Sequence, residues 1–500
     1  MSAGLRVPAP YTDHTIGRES LWHAYAAGAD ETVIPPWLSE PVPPMETHVH
    51  PPTPAAAMGG ARRPLPYGTA ELLGRTAYPH GQVAGEVADP IGHALVAAYG
   101  PQWYDPDNVY NPHRGYASPR CLYPVQVFAD DGEHWALLDP DRHALTTLSV
   151  PGHSPRARQI ALTGRYTRIP RGYRWFRGSL VAIETGYALR ALAIGLHHFG
   201  VPAWVRLPDA EATAVLAEVG LDPVGEWSLP VTVGLGAPPQ VPGPTPAESP
   251  VDPPAESPDP VLAEVAGVNR EQAFTDPPAR LGSGVPVGAA AAPTAPDWAE
   301  LSWRRNSGRM PAGRPGFDSR RRRLPAAVVH DITRWLAVPA PGPTLAAVRD
   351  GITVSVALRD IDGYADGVHR VGPDGELVLQ RADPEITTKL EATYGYPLTP
   401  TDGCGVRHAS MVWFLSVRPR ELHAAYGPTA WTATQYAVGW AAHGLSLAAS
   451  AADLFARPVR AFVENATRDL LGLAGDEMIA LAAVVGTPRH ASGGLLDIRL

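Results

Sequence analysis

Arg305-Asn-Ser307-Gly-Arg309 sets two guanidinium groups on either side of a hydroxyl within five residues. That donor set suits a phosphate, because arginine is planar, always charged and able to bind two oxygens at once. Three common residues in five recur often by chance, so position carries the weight: the stretch opens the second half of the chain and is followed by a helical stretch over Pro325 to Leu336. At the corresponding place the first half has Leu72-Leu-Gly-Arg75-Thr-Ala-Tyr-Pro79, with one arginine. The first half has instead Arg114-Gly-Tyr-Ala-Ser118-Pro-Arg-Cys-Leu-Tyr123-Pro124, where the second half offers only the proline-rich Ala337 to Ala347. The losses are complementary. They predict one complete site drawn from both halves and a degraded mate.

The elements around these residues repeat. From Gly186 a helix is expected, with apolar residues at Leu189, Leu192, Ala193 and Leu196, the spacing of one buried face. Val201-Pro-Ala-Trp204, a helix around Ala210 to Val219, an acidic turn and a strand ending at Gly234 follow. From Gly439 the order recurs: a helix through Leu447, Arg457-Pro-Val-Arg460, a helix near Asn465 to Leu471, Gly475-Asp-Glu and a strand ending at Gly486. The glycine-to-glycine intervals, 48 (234 minus 186) and 47 (486 minus 439) residues, match as well as the element order. Val125 to Ala129 with Trp135 to Leu138, and Thr353 to Leu358 with Val368 to Gly372, read as equivalent hairpins. Each half is therefore expected to be an α+β domain, helices packed around a small sheet. The boundaries expected are an N-terminal extension over 1–65, the first half over 66–236, a linker over 237–297 and the second half over 298–500. The linker is rich in proline and alanine, with a short helical piece allowed near Val261 to Phe274.

At 500 residues and 45% hydrophobic content the chain is long enough for two ordinary cores. A net charge of -9 gives no general basic surface for nucleic acid, and Arg320 to Arg323 reads as a solvated turn before a helix. Two cysteines, Cys121 and Cys404, make no disulfide framework, and the first residues lack a basic and apolar signal pattern. A cytoplasmic protein without a membrane span is expected. His48 with His50 and the pair His197-His198 lack a third ligand at supportive spacing, so no metal site is expected. No glycine-rich nicotinamide fingerprint and no NTPase loop is present.

Arg114-x-Tyr116-x-Ser118-x-x-x-Leu122-Tyr123-Pro124 resembles the Arg-Pro-x-Pro-Ser-Ala-Gly-Ala-Leu-Tyr-Pro turn of the SagB-type azoline dehydrogenases, a branch of the nitroreductase-like flavoproteins. Arg165-Tyr166, Arg171-Gly-Tyr173-Arg174 and Ile183-Glu184-Thr-Gly186 are similar to that branch's Lys-Tyr, Arg-Gly-Tyr-Arg and Glu-x-Gly. The likeness covers roughly residues 68 to 236, and more weakly 298 to 490. Three departures stand out. Pro119-Arg120 replaces the small Ala-Gly pair, Arg165 replaces lysine, and two additional residues separate Arg165-Tyr166 from Arg171.

The resemblance implies a fused pseudo-dimer that binds FMN in a composite pocket, with Arg114 and Ser118 from one half and Arg305, Ser307 and Arg309 from the other. It implies oxidation of thiazoline or oxazoline rings to thiazoles or oxazoles in a ribosomally made precursor peptide, in company with a cyclodehydratase complex. Such a reaction removes a proton from the former Cα and a hydride from the former Cβ. Tyr166 is the candidate base or proton relay, with Arg165, which is never deprotonated, beside it as a charge. Arg457, Arg460 and Arg489 are candidates for the electron-rich edge of the reduced flavin. Two alternatives are an NAD(P)H-dependent nitroreductase-like reductase and a flavin-free scaffold that binds peptide or docks the cyclodehydratase.

Overall fold

A computed structural model describes residues 53–106, 110–150, 158–173, 175–209, 211–222, 225–238, 259–288, 295–308, 318–320, 322–394, 405–488 and 495–500. The first half runs β1 (Arg62–Pro64), α1 (Thr69–Leu73), α2 (Pro90–Tyr99), β2 (Pro101–Tyr104), β3 (His113–Arg114), β4 (Val125–Asp130), β5 (Trp135–Asp139), β6 (Ala144–Thr147), β7 (Gln159–Gly164), α3 (Phe176–His198), β8 (Ala203–Arg206), α4 (Ala212–Glu218) and β9 (Val231–Leu235). Between the halves lie α5 (Pro260–Glu271) and β10 (Ala279–Arg280). The second half begins with α6 (Trp298–Arg304), α7 (Ala326–Leu336), α8 (Pro343–Asp350), β11 (Thr353–Leu358), β12 (Gly367–Val371), β13 (Leu377–Ala382) and α9 (Ile386–Ala392). It continues through β14 (Met411–Val417), α10 (Pro419–Tyr426), α11 (Thr429–Ala451), β15 (Phe455–Val459), α12 (Glu464–Leu471), β16 (Met478–Gly486) and β17 (Leu495–Leu496).

The two main sheets have the same topology. Strands β6-β5-β4-β7-β9-β8 of the first half lie in the order that β13-β12-β11-β14-β16-β15 repeat in the second, and every pairing is antiparallel. The first sheet adds β1 at one edge and β10 at the other. β14 and β16 are near-continuous apolar runs buried along their whole length, as strands covered on both faces require. The helices α3 and α11, 23 residues each, are apolar nearly all round because each is enclosed by its own sheet, by the other helix and by neighbouring helices. α3 is long and apolar enough to cross a membrane, but its apolar window is buried in this core.

Three boundaries move. The segment expected to be mostly linker, with a short helical piece allowed near Val261 to Phe274, carries a three-turn helix, α5, started by Asp259, which accepts a hydrogen bond from the Leu262 N–H, and by Pro260 in the first turn. α5 buries Val265, Ala266 and Val268 against the first half. Gln272 at its end accepts from the Thr432 N–H at 2.9 Å, tying it to α11 as well. The N-terminal extension contributes β1 to the first sheet, while residues 1–52 lie outside the described residues. The C-terminal residues leave the second half: β17 pairs with β2, the Asp497 N–H donates to Gln102 O at 2.8 Å and the Ala70 N–H to Leu500 O at 2.8 Å.

Candidate functional site

The turn after β3 is bent by three non-glycine residues with positive φ, Arg120 (51°), Cys121 (55°) and Tyr123 (46°). Such a conformation costs about 1–2 kcal/mol per residue and persists where side chains over-determine it. Here they do. Ser118 Oγ accepts from the Tyr123 N–H at 2.8 Å and contacts Glu184 Oε2 at 2.6 Å. Tyr123 Oη accepts from the Arg114 N–H at 2.9 Å, and the Arg114 guanidinium lies over the Tyr123 ring at 4.1 Å. Arg120 donates to Tyr173 Oη at 3.1 Å, Arg168 Nε to Leu122 O at 3.0 Å, and the Arg165 N–H to Pro124 O at 2.9 Å. The segments that carry the sequence resemblance therefore converge on this turn.

The second half reaches it through one residue. Asp297 caps α6 by accepting from the Glu300 N–H, and Arg305, just past the helix, donates from Nε to Arg114 O at 3.0 Å. Arg305 is 2% exposed, and burial lowers the pKa of its guanidinium. A cavity of about 30 Å³, lined by Gly115, Ser302, His443 and neighbours, has room for one water. The two motifs thus touch through Arg305 and Arg114.

The remaining expected residues are placed differently. Arg457, instead of pointing to a flavin edge, donates to Ser307 O at 2.9 Å and to Gly308 O, clamping the turn after Arg305. Gly308 (φ 59°) is required there, since a Cβ would strike the Phe455 ring. Arg460 is half-buried just beyond β15. Arg309, Arg489, Arg174 and the pair His48 and His50 lie outside the described residues. Arg165 is paired with Glu226 at 2.6 Å and lies over Trp227. Tyr166 has 0% exposure and sits among Leu122, Ile169, Trp175, Val265 and Trp431, with α5 over it. In this arrangement its side chain is buried in a cluster that includes residues of the segment read as a linker.

Two residues not singled out for a role matter to the site. Glu184 on α3 is 1% exposed beneath the turn, where its Oε1 also lies 3.4 Å from the Val125 N–H and 3.5 Å from Tyr116 Oη. Burial, partly offset by Ser118, pushes its carboxyl up to about 8. Arg168 faces it, its guanidinium drawn down to about 10 by burial and by Arg114. A carboxylate or an arginine inside a run of apolar helix residues was the available signal for Glu184.

The pseudo-symmetric position on the other side of the helix pair is occupied by side chains. Arg190, four residues after Gly186, occupies the place that His443, four after Gly439, holds in the repeat. Its guanidinium lies over Trp335 and Trp440 at 5.2 and 5.4 Å and donates to Gly284 O, Trp440 O and Trp335 O at 2.9, 2.6 and 3.0 Å. Tyr78, in the segment that replaces the second-half arginine motif, stacks on Trp335 and donates to Asp331 at 2.6 Å.

The donors fit an anionic group at the composite site. Arg305 Nη1 and Arg114 Nε are buried without an acceptor among the described residues, and no carboxylate offsets Arg305 there. A buried guanidinium N–H without an acceptor is costly unless a ligand or water supplies one. Ser118 fits less simply, because its hydroxyl is engaged by Glu184.

Comparison with solved structures finds a putative nitroreductase from Anabaena variabilis at TM-score 0.61 and 14% identity, covering 94% of this chain and 99% of that one. A putative nitroreductase from Ralstonia eutropha matches at TM-score 0.30 and 20% identity over 41% of this chain and 90% of that chain. The E. coli microcin synthetase McbBCD complex with truncated pro-MccB17 matches at TM-score 0.29 and 12% identity over 36% and 68%. No protein-family model and no curated protein matches the chain. The Anabaena match spans both halves, and the fold is nitroreductase-like, α+β and doubled within one chain.

Proposed function

We propose that the chain is an FMN-dependent oxidoreductase with one composite flavin site, and that it oxidises azoline rings in a precursor peptide made by a partner cyclodehydratase. The observation that carries the first part is the bond from Arg305 Nε to Arg114 O, which joins the two half-motifs, with N–H groups on both arginines that find no acceptor among the described residues. Arg305 and Arg114 would hold the phosphate end; Ser307, Arg309 and Arg489 belong to the same proposal. When bound, FMN supplies the hydride acceptor. The chain's own contribution is to fix the turn from Ser118 to Tyr123 and to hold positive charge there. The ring would lose a proton from the former Cα to solvent and a hydride from the former Cβ, and molecular oxygen would take up the two electrons with two protons as hydrogen peroxide.

The azoline substrate rests on the resemblance of the turn and of the segments that meet it. A flavin-free scaffold is the second reading, supported by the engagement of Ser118 with Glu184 and of the Ser307 and Gly308 carbonyls with Arg457. Released flavin counted per chain after denaturation separates them. About one FMN per chain, followed by loss of two hydrogens per ring from an azoline peptide, supports the enzyme. A colourless protein that added FMN does not convert rejects it.

A further inference from the structure

Ser118 has one hydroxyl hydrogen and two lone pairs. One lone pair is taken by the Tyr123 N–H at 2.8 Å, and among the described residues the other polar partner is Glu184 Oε2 at 2.6 Å. The hydrogen between these two oxygens can belong to either. An ionised Glu184 accepts it from Ser118, which leaves the hydroxyl nothing to donate. A neutral Glu184 donates from Oε2 into the second lone pair of Ser118, and the hydroxyl hydrogen then swings away from the core. The partners of the other oxygen suit the neutral form, since the Val125 N–H and the Tyr116 hydroxyl both approach Oε1 as donors and leave Oε2 to carry a proton. Ser118 is half-buried whereas Glu184 is 1% exposed, so the freed hydrogen faces the open side of the turn.

We infer that Glu184 is a proton switch for Ser118: protonated, it turns the Ser118 hydroxyl outward to donate to a ligand oxygen; ionised, it withholds that donor. The ligand class is one presenting an acceptor oxygen beside Arg114, which rests on the flavin reading above. Glu184 is a positioning residue in this scheme, since it acts through Ser118.

The surroundings keep the switch separate from other titrations. Burial holds the Glu184 carboxyl up at about 8. Burial pushes the phenols of Tyr116 and Tyr123 far above neutrality and raises the Cys121 thiol. Arg168 stays charged below about 10, and Arg114, with Asp141 at 3.9 Å beyond it, faces the carboxyl as a fixed cation. Between pH 7 and 9 a phosphate is already dianionic, its second pKa being about 6. Glu184 is then the group whose charge changes first.

Two measurements test this. Infrared difference spectra of the ligand-free protein should show a protonated carboxyl band at pH 7 that Glu184→Gln removes and Ser118→Ala shifts. FMN titrations should weaken about 10-fold from pH 7 to pH 9, as one proton leaving near the middle of that range requires. Glu184→Gln, whose amide still donates to Ser118, should bind equally at both pH values. Absence of the band at pH 7 overturns the inference whether or not FMN binds, and so does a variant that keeps the wild-type slope. A band that behaves as expected in a protein that binds no FMN supports the switch and removes the flavin reading.

Discussion

Gly186 and Gly439 touch where α3 crosses α11, and each faces the carbonyl three residues before the other: Gly186 packs on Tyr436 O and Gly439 on Ile183 O. The pair marks the local two-fold axis of the chain. A side chain at either position would meet the opposing carbonyl far inside contact distance. Gly186→Ala and Gly439→Ala should each lower stability by about 2–4 kcal/mol, the range of severe overpacking. Urea unfolding checks this as a lower midpoint with unchanged slope, and equal midpoints would mean that the helices can separate without cost.

Arg305→Gln should raise the FMN dissociation constant about 10- to 100-fold, because a charge-assisted hydrogen bond contributes about 1.5–3 kcal/mol. Arg190→Met, in the filled mate site, should leave flavin content at one per chain while lowering stability, since three carbonyls lose their donor. Fluorescence titration and flavin counting read both variants. Two flavins in either protein would show that the mate site is open.

Tyr166→Phe should leave turnover on an azoline peptide within about threefold, because the phenol is enclosed and a buried Tyr-to-Phe change removes no exposed donor. A loss of about 100-fold with flavin retained would restore Tyr166 as the proton acceptor and require α5 to move during the cycle.

Glu184 should make the protein less stable as pH rises. Its carboxyl is held at about 8 in the fold against 4.5 for the free group. Between those values the unfolded chain releases a proton that the native state keeps, so stability falls from about pH 4.5 to about pH 8 and is flat above. Denaturant midpoints across this range, compared with Glu184→Gln, give the test: the variant should lose most of that slope.

The doubled architecture was legible in the sequence because periodicity and element order survive divergence. The intervals from Gly186 to Gly234 and from Gly439 to Gly486 mark equivalent strands β9 and β16 in identical sheet positions. The meeting of Arg305 with the Arg114 turn was legible from complementary losses. What was hidden depended on tertiary contacts. The 237–297 segment was read by its proline content with a short helix allowed near Val261 to Phe274, but that Val265 and Val268 of this helix reach a core was not announced by any local pattern. Tyr166 was read as a candidate base or proton relay because nothing in its own stretch shows that it shares a buried cluster with residues of α5. Arg457 was nominated for its charge, but its geometry is that of a backbone clamp.

In a symmetric dimer encoded by one sequence, every substitution is made twice and must suit both copies of the interface. Joining the halves ends that constraint. Arg190 could take the place that His443 keeps on the other side of the axis, wedged between Trp335 and Trp440, without an arginine intruding beside Arg305 as well. The two sides of the local axis therefore differ in their side chains, and because both belong to a single molecule, dilution cannot part them.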